Sequence, residues 1–448
     1  MGINRWASTV SVASWSLPGD GSIGGLLPPE LGELSGKLRS YTHLDVRATD
    51  EGLLVLPGGT EEVLDWRPAS GSDVLWALLT KSTEEARPSQ PGRIATELIR
   101  RLGGLDMLRS IQHEGLVKLL DDTARSQVEL PEDPPSQRRR YVAELPRSKL
   151  LGELQRINDN DSKRAARHLA YLVDRGVLTS GVRLQCPNCT RRTWYSVEHL
   201  AEQLLCEGCI RTFPFPHAAP PAPSDWAYRT LGAFAVRDYA AGAYAVAFAL
   251  KALATETYEP TSWSTNLQLD DRTEVDFAVV RQSRRSGTTS VGPQMLLGEA
   301  KSYGQFTEQD FARAARLRSR FPEAVLVFAT LRKNLRRDEV TALRSLARPI
   351  VNRLAQVPEQ PPLMVLTGLE LFHHGRVADS WQEAEGRIGE IAAASRVIAN
   401  NPEVLQIADR SLQIHLGLGP HHEWASQELQ RLLRGSTQAR RRSRNASS

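Results

Sequence analysis

The sequence predicts a multi-domain α/β protein, and three observations carry that expectation. The chain has 448 residues, beyond the roughly 100–200 of one ordinary domain. Its 41% hydrophobic and 24% charged residues match a folded globular chain, not a disordered segment or a coiled coil. From about residue 240 to residue 371, apolar runs of strand length alternate with runs of helical period.

Charge narrows the partners. The formal net charge is +4, but residues 431–448 hold six arginines and no acid, so without them the balance is −2. A uniformly basic, nucleic-acid-coating surface is excluded, and any polyanion contact must come from local patches and that tail. The opening MGINRWASTV lacks a charged segment followed by an apolar one, and the longest apolar run, Tyr239 to Leu250, is too short for a bilayer. No membrane partner is expected. All four cysteines fall between 186 and 209, which suits a reducing, cytoplasmic setting.

The elements follow in order. Residues 1–130 form an N-terminal region of unassigned function, with a strand-like LLVL inside Gly52 to Pro57 and helical spacing from Arg93 to Ala124 broken at Gly103-Gly104. A linker, Pro131 to Arg140, precedes residues 141–184. There two helices flank an NDND turn, the second capped by Asp161, and Ser180-Gly181 is placed to turn a hairpin. This segment resembles a winged helix with Lys163, Arg164 and Arg167 toward phosphates; a helical hairpin supporting the next segment fits it equally. A proline-rich linker, Phe213 to Ser224, leads to a helix at Ala240–Leu253, strands at Thr265–Leu269, Glu274–Val280 and Met295–Lys301, and a helix at Glu308–Phe321. A strand at Ala324–Thr330, a helix at Asp338–Ala347 and a strand at Leu363–Leu371 follow. Residues 376–434 read as helices and 435–448 as a disordered basic tail.

Cys186-Pro-Asn-Cys189 and Cys206-Glu-Gly-Cys209 have the spacing of a structural zinc site over residues 185–213. Four thiolates close a tetrahedral shell and leave no position for a catalytic water. Trp194, Tyr195 and Leu200 would supply a small core. The pattern resembles the zinc ribbons of nucleic-acid enzymes.

The chain has only eight lysines, yet two acid-x-Lys triplets. Asp161-Ser162-Lys163 is explained by helix capping. Glu299-Ala300-Lys301 instead ends an apolar strand, 23 residues after Asp276 near the start of another. Pairing Val280–Arg281 with Met295–Leu296 would set Asp276 roughly opposite Ala300, with Glu299 and Lys301 on one shared face. Such hard oxygen donors suit Mg²⁺ or Mn²⁺.

TEVDFAVV followed by MLLGEAKSYG resembles the metal-binding core of the PD-(D/E)xK nuclease superfamily, the restriction-endonuclease-like fold. The resemblance implies an αβββαβ core over residues 226–375. It also implies that Asp276, Glu299 and the Ala300 carbonyl hold the metal, while Lys301 orients the attacking water. The first core helix lacks an acid that many members carry; Glu274 or Glu256 would substitute, and Gln305 would position substrate. His373-His374 and His421-His422 are expected at the surface. The implied activity is metal-dependent DNA cleavage in restriction or anti-phage defence, with DNA and other defence subunits as partners. Alternatives are an inactive DNA-binding or adaptor protein on the same fold and a repair or junction-resolving nuclease.

Overall fold

In the computed structural model, the described residues are 44–49, 52–57, Leu75, Leu79, most of 89–420, and Glu423. The Pro131–Arg140 linker, Glu256, His421-His422 and the basic tail lie outside them. By packing, the chain divides into two units, one of residues 93–251 and 371–374 and one of the remainder. Among the described residues no helix is long and apolar enough to cross a membrane.

The 93–251 unit opens with α1 (Gln90–Leu102), which stops where Gly103 and Gly104 adopt φ of 92° and 107°. Helix α2 spans Glu114–Arg125. Strand β1 (Leu145–Pro146), α3 (Arg147–Ile157) and α4 (Ser162–Asp174) follow, and the Asp161 carboxylate caps α4 by accepting from the Lys163 and Arg164 amides. Beyond α4 the expected hairpin turn is absent. Leu178–Gln185 runs as one strand, β2, and pairs with β3 (Arg192–Ser196) through the Cys186–Cys189 turn. Gly181 sits in mid-strand because the Trp194 ring lies on it; a Cβ there would stand 2.2 Å from the ring. Strands β4 (Gln203–Leu205) and β5 (Thr212–Pro214) form a second hairpin around Cys206–Cys209. Strand β6 (Trp226–Thr230) returns between β1 and β2, giving the order β1-β6-β2-β3. That pairing is why 226–230 packs with the cysteine segment and not with the later strands.

Helix α5 (Ala243–Thr255) is apolar on every side through Leu250, and residues 243–250 are all buried, as an all-round apolar helix must be. It begins later than the expected Ala240, because Asp238 to Ala241 take left-handed φ values of 52–57°.

The other unit is organised by a five-stranded mixed sheet. Strands β7 (Thr261–Gln268), β8 (Glu274–Ser283) and β9 (Val291–Lys301) form an antiparallel meander. Helix α6 (Glu308–Arg320) then carries the chain to β10 (Val325–Thr330), which runs parallel to β9. Helix α7 (Arg337–Leu346) leads on to β11 (Met364–Leu366), and the sheet order is β11-β10-β9-β8-β7. The expected strand Leu363–Leu371 is only these three residues, since Gly368–Leu371 is helical. Leu297, Leu326, Phe328, Val365 and Leu343 share one buried cluster with Phe306 and Leu317. A hairpin of Leu44–Thr49 with Gly52–Pro57 accounts for the LLVL segment.

Candidate functional site

Two groups of chemistry-bearing side chains are built by these folds, one in each unit. In the 93–251 unit the CxxC turns are near-copies. After Cys186 and after Cys206 the chain folds back identically, with Thr190 N–H to Cys186 C=O and Ile210 N–H to Cys206 C=O, and Thr190 and Ile210 take φ of 59° and 58°. These turns aim two sulfurs each at one point. Cys186 and Cys209 Sγ are 3.7 Å apart, Cys189 and Cys206 Sγ 3.5 Å. Zinc–sulfur bonds of about 2.3 Å in a tetrahedron require edges of about 3.8 Å, so the thiols already stand at the spacing of a structural zinc site. Among the described residues this is the one set of three or more Cys, His, Asp or Glu whose ligand atoms all lie within 4.8 Å of one another. Val182, Leu184, Leu204 and Phe213 pack beneath it with Tyr195 and Leu200. Trp194 is not part of that core: its indole donates to Ala227 C=O at 3.1 Å and stacks under the Arg229 guanidinium at 3.9 Å.

In the other unit the pairing of β8 with β9 differs from the expected register by one residue. Val280 faces Met295 and Phe277 faces Gly298, where a Cβ would stand 1.9 Å from the Phe277 ring. Continuing that register sets Asp276 opposite Glu299, not Ala300. The shift matters because side chains alternate across a sheet: it puts Asp276, Glu299 and Lys301 on one face, where the expected register would have opposed Asp276 to the other two. Asp276 Oδ2 accepts from the Ala300 N–H at 2.7 Å, and its Oδ1 has no hydrogen-bond partner among the described residues. Glu299 is 8% exposed, and its Oε1 accepts from Lys301 Nζ at 2.8 Å and Arg313 Nη2 at 2.8 Å.

Arg313 comes from α6, as does Asp310, and neither was singled out from sequence. Thr307 and Asp310 form the capping box of α6, with Asp310 Oδ2 accepting from the Thr307 amide at 2.7 Å. The other Asp310 oxygen accepts from Lys301 at 3.2 Å and from Arg313. Glu299, Lys301, Asp310 and Arg313 therefore close a ring of alternating charge, with Asp276 beside it. Burial, then the neighbouring Asp276 charge, push the Glu299 carboxyl well above the ordinary range. Burial pushes Asp276 up as well, against the Ala300 amide and Lys301. Burial alone would raise Asp310 too, but the hydrogen bonds from Thr307 and the Lys301 charge bring it down to about 2.

Glu274 does not join the ring; its Oε1 accepts from Asn266 Nδ2 at 3.2 Å. Gln305 is exposed and accepts from Arg336. His374, in the 93–251 unit, is exposed as expected, and His373 beside it is partly buried. The signal for Asp310 and Arg313 was present as a Thr-x-x-Asp box with Arg three residues on, but such boxes are common at helix starts.

No family model, no curated protein and no solved structure matches this chain.

Proposed function

We propose that the Asp276–Glu299–Lys301 cluster is the active centre of a metal-dependent DNA endonuclease with a restriction-endonuclease-like core, and that the four cysteines hold a structural zinc. The observation that carries the reading is the placement of two carboxylates and a scarce lysine on one face at one end of the β8–β9 hairpin. The order of three antiparallel strands, helix and parallel strand around it supports the same reading.

The donor set fits a hard divalent cation. Asp276 keeps an oxygen without a partner among the described residues, and its charge opposes the ionisation of Glu299, which a cation would relieve. Asp276, Glu299 and the Ala300 carbonyl would hold Mg²⁺ or Mn²⁺. Such an ion lowers the pKa of a bound water and offsets charge on the phosphate. Lys301, anchored by Glu299 and Asp310, stands ready to donate to a scissile phosphate oxygen. Restriction or anti-phage defence is the setting the resemblance suggests.

A second reading rests on Arg313. It neutralises Glu299 and Asp310 without any metal, as expected of an inactive DNA-binding or adaptor protein that kept the fold. Incubation of full-length protein with plasmid and linear DNA in Mg²⁺, Mn²⁺ or EDTA separates the two. Cleavage dependent on the metal and lost in Asp276→Ala, Glu299→Ala and Lys301→Ala supports the nuclease. Cleavage that survives equally in all three variants rules out this site, and DNA binding with no cleavage in either metal favours the second reading.

A further inference from the structure

The 93–251 unit contains an open cleft of about 550 Å³ with no part in that reading. Its walls come from the segment after α1, the end of α3 with the α3–α4 turn, and α4 from Arg164 to Tyr171, with His374. We propose that this cleft binds a phosphomonoester carried on a nucleotide-sized ligand.

Charge is the first argument. Arg109, Arg164 and Arg167 line the cleft, against Asp159 as its one acid. Arg164 lies 3.6 Å from Asp159 and 3.5 Å from Asp161, both pairs solvent-exposed. Arg109 and Arg167 have no salt bridge to a carboxylate among the described residues. Three guanidiniums around one concavity repel one another, and a dianionic phosphate with forked acceptor geometry is the ligand that relieves this.

Imidazole chemistry is the second argument. His168 Nε2 sits 2.7 Å from the Ser110 carbonyl, so that nitrogen carries the hydrogen, and Nδ1 accepts from the Asn158 amide at 3.0 Å. His168 is thus a fixed wall. His374 Nε2 donates to the Gln112 carbonyl at 3.3 Å. His113 has a ring contact with His374, centroids 4.6 Å apart, and neither of its nitrogens has a hydrogen-bond partner among the described residues. It is the imidazole left to meet a ligand. Burial, then its two histidine neighbours, depress it to about 4, so an anion at its nitrogen would draw it back up.

The three imidazoles do not offer a metal three nitrogens, since both nitrogens of His168 are taken, by the Ser110 carbonyl and the Asn158 amide. The volume lies within the about 300–1,000 Å³ of small-molecule sites and exceeds what a bare phosphate fills. The open side would admit either a free mononucleotide or the 5′-phosphate end of a strand.

Calorimetry on the full-length protein at low salt tests this with AMP, adenosine, and one oligonucleotide bearing a 5′-phosphate or a 5′-hydroxyl. AMP or the 5′-phosphorylated strand should bind measurably, while adenosine and the 5′-hydroxyl strand bind at least tenfold more weakly. Tighter binding of the phosphorylated strand assigns the site to strand ends, and tighter binding of AMP to free nucleotide. Arg109→Ala with Arg167→Ala, both exposed positions, should weaken binding at least tenfold. Lys163→Ala, on the same helix but outside the cleft, should leave it unchanged. His113 should titrate higher by NMR when AMP is bound. No binding of either phosphorylated probe, or equal affinity with and without the phosphate or the two arginines, overturns the proposal. The outcome is independent of whether Asp276 variants cleave DNA.

Discussion

Replacing Asp276 by Asn separates the electrostatics of the acidic cluster from its packing. The amide oxygen can still accept from the Ala300 N–H, which Asp276 Oδ2 holds at 2.7 Å, so volume and hydrogen bond survive and only the charge goes. Desolvation, reinforced by Glu274 and opposed by the Ala300 amide and Lys301, raises the folded carboxyl to about 6, against about 3.9 when unfolded. A group raised on folding gives stability that is fully present below the unfolded pKa and lost as pH rises through the folded one. Wild-type protein should therefore lose up to about 3 kcal/mol at this site between about pH 4 and pH 6, at 1.36 kcal/mol per pH unit. Solvent relaxation around a half-buried group brings the loss to about 1–3 kcal/mol. In urea unfolding with EDTA, Asp276→Asn should be more stable than wild type by that amount at pH 7.5 and nearly equal to it at pH 4. If the variant is less stable at pH 7.5, or the difference does not change with pH, burial of the Asp276 charge is not what destabilises the cluster.

Two other outcomes follow from the geometry. Purified protein should carry one zinc per chain, and chelation or Cys186→Ser should expose residues 185–214 to protease, because the core beneath the thiols is only a few side chains; a fraction of an equivalent with unchanged protection contradicts this. Arg313→Ala should cost about 2–4 kcal/mol in the same urea assay, since Glu299 and Asp310, both nearly buried, would then share Lys301 as their one cationic partner among the described residues. A loss under 0.5 kcal/mol would show that the ring is held by Lys301 alone.

The parts that were legible in the sequence are those where one residue type admits few explanations. Two CxxC pairs with no other cysteine fix which atoms meet, and an uncharged run such as 243–250 has nowhere to go but inside. Asp161 was readable as a cap because a carboxylate before a helix has backbone amides to satisfy. Strand register was not readable to the residue. The apolar residues of β8 and β9 form near-continuous runs, as in strands covered on both faces, so no alternation marks which pairing is correct. What selects it is the fit of the Phe277 ring over Gly298, a contact between residues 21 positions apart that no local pattern announces. Ser180-Gly181 is the same case in reverse: a glycine there reads as a turn, whereas the structure uses it to admit Trp194.

Asp310 shows how local and distant demands converge on one side chain. One of its oxygens closes the N-terminus of α6, a role any capping box requires. The other faces Lys301 and Arg313 and binds them into the ring with Glu299. Since α6 is the crossover between β9 and the parallel β10, its first turn must begin near the end of β9, where Lys301 sits. The helix start thus delivers its obligatory acid to the strand end that carries Glu299 and Lys301. A lysine held by two carboxylates, itself raised in pKa by Glu299 against the desolvation that opposes it, stays cationic across the physiological range. That is the state required of a group that is to offset charge on a phosphate, and it equally suits a ring that merely pins α6 to the sheet. Activity in Lys301→Ala is what tells the two apart, because only the first role is lost from the reaction while the second is lost from stability.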